Sequence, residues 1–284
     1  MRALLARQHP DLASLPLMRA AEGWDNVMFR LGDDLAVRMP RRQIGADVST
    51  SELDWLPTVA QHWTFGAPIP IRMGEPGEGY PWRWSVVPWI PGVPALEEPL
   101  STAGARDLGR ALAQVHRPVP DYAPRNPFRS DPLALRAERF DARVDALVGA
   151  EGARLAADAA RNDFAHGAAQ PAGPLTWCHL DLHGNNVLTA NGRLAGIIDW
   201  GDSAVGDPAT DLGQAWYMVG SDHFRELCIA YADTGGVCDA LGVDLPRVRA
   251  DAIAFAVTMA SLDDPAYARS GWQALEDLGL AGPD

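Results

Sequence analysis

The densest chemistry in the chain lies in ten residues, His179-Leu180-Asp181-Leu182-His183-Gly184-Asn185-Asn186-Val187-Leu188. They follow the apolar Leu175-Thr176-Trp177-Cys178 and precede a second apolar run, Leu194 to Ile198, which ends in Ile198-Asp199-Trp200-Gly201-Asp202. Polar side chains set between two buried strands are costly unless bonded, so a ligand or a dedicated network is expected there. The two strands are expected to bring Asp181, Asn186 and Asp199 toward one point. Such a group suits phosphoryl transfer. Asn186 and Asp199 offer the oxygen ligands that Mg²⁺ prefers, with nucleotide phosphates and water filling its other positions. Asp181 can accept a hydrogen bond from a substrate hydroxyl and aim it at a γ-phosphate. His179, Asp181 and His183 also admit a metallohydrolase reading with imidazoles on zinc. Against it, His9, His62, His116, His166 and His223 are scattered and form no second cluster.

The elements that must position these residues can be read from pattern. Val27–Leu31 and Leu35–Met39 alternate like strands, joined by the turn-forming Gly32-Asp33-Asp34. A helix is expected from about Asp47 to His62, interrupted by Pro57. Short strands are expected at Ile69–Met73 and Trp84–Ile90. Beyond Pro91-Gly92 the texture turns helical: Leu108, Ala111, Leu112 and Val115 share one face of a helix from Thr102 to His116. Residues 131–165 and the Ala-rich C-terminal third also read as helices, around the strand–loop–strand unit of Leu175–Asp199. The organisation predicted is a small β-rich lobe over residues 1–91 and a larger helical lobe over 92–284.

Composition narrows the field further. With 24 basic and 37 acidic side chains the formal charge is −13, which disfavours nucleic acid as a partner and suits a cationic small molecule. Every one of the 24 basic residues is arginine, so Schiff-base chemistry and a Walker A loop are excluded. Cys178, Cys228 and Cys238 have neither CxxC spacing nor an even count and read as reduced thiols. No apolar run approaches the ~18 residues of a membrane span. A soluble, cytoplasmic protein is the expectation.

At this point the motifs resemble a known family. His179-x-Asp181-x-His183-x-x-Asn186, then Ile198-Asp199-Trp200-Gly201, then Gly206-Asp207-Pro208-Ala209-Thr210-Asp211-Leu212 look like the aminoglycoside phosphotransferases, the antibiotic-kinase branch of the protein-kinase-like fold. Gly23-Trp24-Asp25-Asn26 is similar to the family's nucleotide-covering loop, Glu52-Leu53-Asp54-Trp55 to its N-lobe helix, and Val87-Pro88-Trp89-Ile90-Pro91-Gly92 to its hinge. The resemblance implies an α+β, bilobal fold and a kinase that moves the γ-phosphate of ATP or GTP, with Mg²⁺, to a hydroxyl of an aminoglycoside or related antibiotic. A sugar, a choline-like alcohol, homoserine or a macrolide remains open as acceptor, and so does an inactive, nucleotide-binding pseudokinase. It implies Asp181 as catalytic base, Asn186 and Asp199 on the metal, and Glu52 paired with the phosphate-contacting residue of the second strand. That residue is usually lysine; here it is Arg38, whose planar fork is bulkier and not equivalent. Gly23, Asp25 and Asn26 would cover the phosphates, and the Pro88 carbonyl and Ile90 amide would hold the base. His179, His183 and Asp207, with Asp211, would support the catalytic loop and cap the helix after Pro208. Asp202, Asp222 and Glu226 are candidate contacts for acceptor amines.

Overall fold

The computed structural model describes residues 1–22, 25–151 and 154–282, which form two compact units. The first comprises Met1–Gly92 together with Ala195–Asp202; the second comprises Val93–Leu194 and Ser203–Asp284. None of the described helices is long and apolar enough to cross a membrane.

In the first unit, helix α1 (Arg2–Gln8) precedes strands β1 (Leu17–Glu22), β2 (Asn26–Leu31) and β3 (Leu35–Pro40), helix α2 (Gln43–Val59), and strands β4 (Arg72–Gly74) and β5 (Trp84–Pro88). The strands make one antiparallel sheet in the order β1-β2-β3-β5-β4. The β2–β3 hairpin pairs Met28 with Arg38 and Leu31 with Leu35, and its turn uses Gly32 at φ +62°, a conformation open to glycine at no steric cost. Alternation along β3 turns Val37 and Met39 into a core with Leu31, Trp84, Val86 and the α1 residues Leu4 and Leu5. Arg38 therefore leaves from the opposite face. On α2, Glu52, Leu53 and Leu56 are buried, and Pro57 falls in the last turn. The strand expected at Ile69–Met73 is shorter and shifted to Arg72–Gly74, because Pro68 and Pro70 carry no N–H for a ladder.

The late segment 195–202 completes this unit. Ile197 N–H donates to the Gly66 carbonyl (2.9 Å), and Gly66 and Gly196 form a parallel bridge. A Cβ on Gly66 would lie 2.4 Å from the Ala195 carbonyl oxygen, so the approach requires glycine. Buried Trp200 sits 4.4 Å from Trp63, centroid to centroid, and its indole N–H donates to Ile197 O.

The second unit holds β6 (Val93–Pro94), α3 (Thr102–Val115), α4 (Ala137–Glu151), α5 (Ala157–Ala168), β7 (Thr176–Cys178), β8 (Val187–Ala190) and the start of β9 (Arg193–Ile197). It continues with β10 (Ala204–Gly206), α6 (Pro208–Val219), α7 (Ser221–Asp233), α8 (Leu245–Ala260) and α9 (Pro265–Asp277). Ser101 caps α3 by accepting the Gly104 N–H, and the stripe Leu108, Ala111, Leu112 and Val115 is buried as its spacing requires. Helix α8 packs against α4, α5, α6 and α9 and buries nearly its whole circumference.

Small residues let these helices cross closely. A Cβ on Gly271 of α9 would lie 2.2 Å from Ala260 N, whereas one on Gly149 of α4 would meet nothing within 4 Å. Gly271→Ala is therefore expected to destabilise by ~1–3 kcal/mol through backbone displacement, and Gly149→Ala to stabilise by ~0.5–1 kcal/mol through helix propensity. Urea midpoints moving in opposite directions would bear this out; a Gly271→Ala protein as stable as wild type would contradict the packing.

Candidate active site

The loop between β7 and β8 carries the polar motif, and α6 holds it in place. Buried Asp211 accepts the His179 N–H on one oxygen (2.7 Å) and the Leu180 N–H on the other (2.8 Å). Three residues on, and so on the same helix face, Gln214 accepts from Leu182 N–H (2.8 Å) and donates to Leu180 O (3.0 Å). His116 of α3 completes the clamp, with Nε2 3.1 Å from Asp211 Oδ2 and Nδ1 2.9 Å from the Tyr231 hydroxyl. Under that hold Leu180 adopts φ +66°, a left-handed backbone that a leucine avoids, which turns the next residue, Asp181, outward.

Asp181 is partly exposed. Its carboxylate lies 2.8 Å from Arg129 Nη1 and 3.7 Å from His183 Nε2. Arg129 also donates to the Leu180 carbonyl (3.3 Å). The Asn186 amide group donates to the Asp181 carbonyl (2.9 Å) and sits 3.2 Å from His183 Nε2. Those bonds use Asn186 Nδ2 and turn the other end of the amide, the hard oxygen Oδ1, away from them. His179 Nδ1 accepts the Asp181 N–H (3.3 Å) and His183 Nδ1 accepts the Asn185 N–H (3.2 Å), so both imidazoles brace the loop's own backbone. Asn185 in turn donates to the Tyr267 hydroxyl (2.6 Å).

Two sequence-level assignments change here. Asp207 caps α6, the helix after Pro208, as expected, by accepting Ala209 N–H (2.9 Å), but its carboxylate pairs with Arg247 at 3.1 Å and not with the loop. Asp211 alone of the two reaches the loop. The zinc reading of His179, Asp181 and His183 also fails. Among the described residues, the His, Cys and carboxylate atoms that converge at metal-like distances are those of His116, Cys178 and Asp211. There the imidazole is bonded at both nitrogens, and burial holds the Cys178 thiol well above its ordinary value, away from the thiolate a metal needs.

In the first unit, Arg38 is buried between two carboxylates, donating from Nη1 to Glu52 and from Nη2 to Asp199 Oδ1 (3.0 Å). Burial disfavours its charge, but Glu52 and Asp199 outweigh that and lift its pKa above the usual arginine value. Asp199 is itself at φ +62°, and its side chain is 59% exposed, so one oxygen bonds Arg38 while the carboxylate remains open to solvent. Asp25 bonds Arg42 through its carboxylate and the Arg41 N–H through its carbonyl, and Asn26 Oδ1 lies 3.4 Å from Ser49 Oγ on α2. Gly23, assigned from the sequence to the phosphate-covering loop, lies outside the described residues. Pro88 ends β5 opposite Leu35, Trp89 N–H donates to Asp34 O, and the Ile90 side chain lies against Gly66 and Gly196. Of the acceptor candidates, Asp202 stays in the first unit, Asp222 is exposed in the first turn of α7, and Glu226 is held by two bonds from Arg106 (2.9 and 2.6 Å). Among the described residues no hydrogen bond joins Asp222 or Glu226 to the 179–186 loop.

The chain belongs to the phosphotransferase enzyme family, whose model matches residues 17–250. Viomycin phosphotransferase of Streptomyces vinaceus is 28% identical over 229 residues, 74% of this chain and 75% of that protein. Among solved structures, the GDP complex of aminoglycoside 2'-phosphotransferase-IIIa superposes with a TM-score of 0.68 at 19% identity, covering 98% of this chain and 97% of that one. Macrolide 2'-phosphotransferase from Brachybacterium faecium does so at 0.62 with 22% identity, covering 99% and 97%. The fold is thus the α+β, kinase-like fold, and the protein is a phosphotransferase.

The Asp211 clamp has a pH signature. Burial would raise its pKa, but the bond from His116, the nearby His179 and the backbone N–H groups outweigh burial and hold it below the ordinary carboxylate value. A carboxylate lowered in the folded state contributes its full stabilisation above its unfolded pKa of ~3.9 and loses it as pH falls through the folded value. Asp211→Asn is expected to cost ~3–5 kcal/mol at pH 7, because its amide presents N–H groups to donors already in place, and to flatten the fall in stability below pH ~4. Urea midpoints from pH 3 to 7 measure both; parallel curves for variant and wild type would remove Asp211 from the clamp.

Proposed function

We propose that this protein transfers the γ-phosphate of ATP or GTP to a hydroxyl of a small molecule, with Asp181 as the group that receives the hydroxyl's hydrogen bond. The observation that carries the reading is the braced loop. Asp211, Gln214 and two histidines fix the backbone on either side of Asp181, and its carboxylate stays partly exposed beside Arg129. A group held in this way supplies orientation at little entropic cost when the acceptor arrives. An aspartate is a weak base, so it aligns the hydroxyl first and takes the proton late, as the bond to phosphorus forms.

Asn186 Oδ1 and the Asp199 carboxylate are hard oxygen donors of the kind Mg²⁺ takes, and Mg²⁺ when bound offsets charge on the transferring phosphates. Arg38 would contact the α- and β-phosphates, with Glu52 fixing its direction. The GDP and ADP named with solved structures of this fold support a nucleotide co-substrate. Viomycin, aminoglycosides and macrolides differ widely in chemistry, so these names support an antibiotic-like acceptor without selecting one.

Asp181→Asn is expected to lower kcat by ~10²–10⁴ while leaving nucleotide affinity nearly unchanged. The assay incubates protein, Mg²⁺ and each nucleotide with aminoglycosides, peptide antibiotics, macrolides and small alcohols, and reads phosphate addition by mass spectrometry. Full activity of the variant would end the assignment of Asp181. Independently of any acceptor, Asp199→Ala is expected to abolish the Mg²⁺-dependent rise in melting temperature given by ATP or GTP; persistence of that rise would exclude Asp199 from metal binding.

A further inference from the structure

Arg129 reaches Asp181 from a segment outside the sequence motif, and polar bonds fix that segment in place. Its foundation is β10, the strand paired with β7 just before the polar loop, in which Val205 stands opposite Trp177. The Val205 N–H donates to the Pro124 carbonyl (2.9 Å), and the Val205 carbonyl accepts the Ser130 hydroxyl (2.6 Å). Between those anchors the Asn126 side chain closes a turn, its Oδ1 accepting the N–H groups of Phe128 (3.0 Å) and Arg129 (3.1 Å). Ser130 Oγ also accepts the Asn126 N–H (2.9 Å). Burial does not account for this turn, since Phe128 is 70% exposed and the Arg129 side chain 35% exposed. What the turn fixes is the Arg129 backbone, from which Nη1 reaches both the Asp181 carboxylate (2.8 Å) and the Leu180 carbonyl (3.3 Å).

We propose that Arg129 is a positioning residue for phosphoryl transfer, holding the Asp181 carboxylate in line for the acceptor hydroxyl and offsetting its charge as the triphosphate approaches. This rests on the kinase reading above. The clamp under Leu180 fixes only backbone, and an aspartate on a fixed backbone still has staggered rotamers to choose among. A guanidinium bonded to both the carboxylate and the preceding carbonyl makes that choice before the acceptor arrives. An ordinary exposed ion pair contributes little, because two mobile side chains must be ordered to form it. Here the Asn126 turn and the Asp211 clamp have already fixed both backbones. Charge adds a second effect: a carboxylate set beside phosphate oxygens repels them, and a paired guanidinium screens that repulsion. Arg129 takes no proton itself, so its effect passes through Asp181.

The test is a double-mutant cycle on the full chain, with R129Q, D181N and R129Q/D181N. Glutamine keeps a planar N–H donor but loses the charge and the fork. Transfer from Mg²⁺-ATP and Mg²⁺-GTP is measured with kanamycin, viomycin and erythromycin, and the acceptor that wild type phosphorylates fastest carries the comparison. R129Q is expected to lower kcat about tenfold or more, with the nucleotide KM within about twofold of wild type. In the D181N background the same change is expected to alter kcat by less than about twofold. An unchanged kcat in R129Q, or a loss of equal size with and without the Asp181 carboxylate, would overturn the proposal. Crystals of wild type and R129Q supply a readout free of turnover. In R129Q the Asp181 side chain is expected to leave its rotamer while the 179–186 backbone stays in place; an unmoved carboxylate would overturn the proposal as well. Where no acceptor turns over, the crystals decide the matter alone, and a wild type that also fails to bind a Mg²⁺–ATP analogue would sink the kinase reading instead.

Discussion

One buried carboxylate governs the polar loop of the second unit. Asp211 accepts two successive backbone N–H groups and an imidazole at once, and no neutral side chain can do so in that position. Without it, the chain leaving β7 would have no reason to turn through a left-handed leucine, and Asp181 would follow the strand inward. Strain at Leu180 of ~1–3 kcal/mol is the kind that persists only where surrounding bonds over-determine the backbone. Gln214, one turn along α6, closes the same loop from the other side, so α6 acts as a template against which the motif is cast.

The first unit solves a different problem, that of burying a permanent cation. Arg38 is secured by Glu52 from α2 and Asp199 from the late segment, and each carboxylate offsets part of its desolvation. Arginine in place of lysine makes this three-way contact natural, since its fork presents separate N–H groups to two partners. Removing either acid would leave the guanidinium buried with less compensation, so the pair and the cation stand or fall together.

Much of this could be read in advance where a local rule applies. The β2–β3 hairpin follows from alternation and Gly32, α3 from its four-residue apolar stripe, and the polar motif from its improbable density between two apolar runs. Strand β1 escaped because Ala20-Ala21 has little strand preference and its pairing with β2 passes through an irregularity between Arg19 and Ala21. The division of labour between Asp207 and Asp211 depends on which side of one helical turn faces the loop, and adjacent acidic residues do not announce that. His116 reaches Asp211 across 95 residues, Arg129 reaches the Leu180 carbonyl across 51 and Gln214 reaches it across 34, so only tertiary packing reveals them. The i, i+3 spacing of Asp211 and Gln214 was the one available signal.

The segment 195–202 belongs structurally to residues 1–92 but is reached only after a hundred intervening residues. During synthesis, the sheet with Arg38 and the helix with Glu52 emerge first, while Trp63 lacks the neighbouring Trp200 indole and Gly66 its bridging strand. Its final packing and its second carboxylate must wait until the ribosome has delivered most of the other unit. Neither unit can be separated by a single cut in the gene, and maturation of the earlier one is timed by the later.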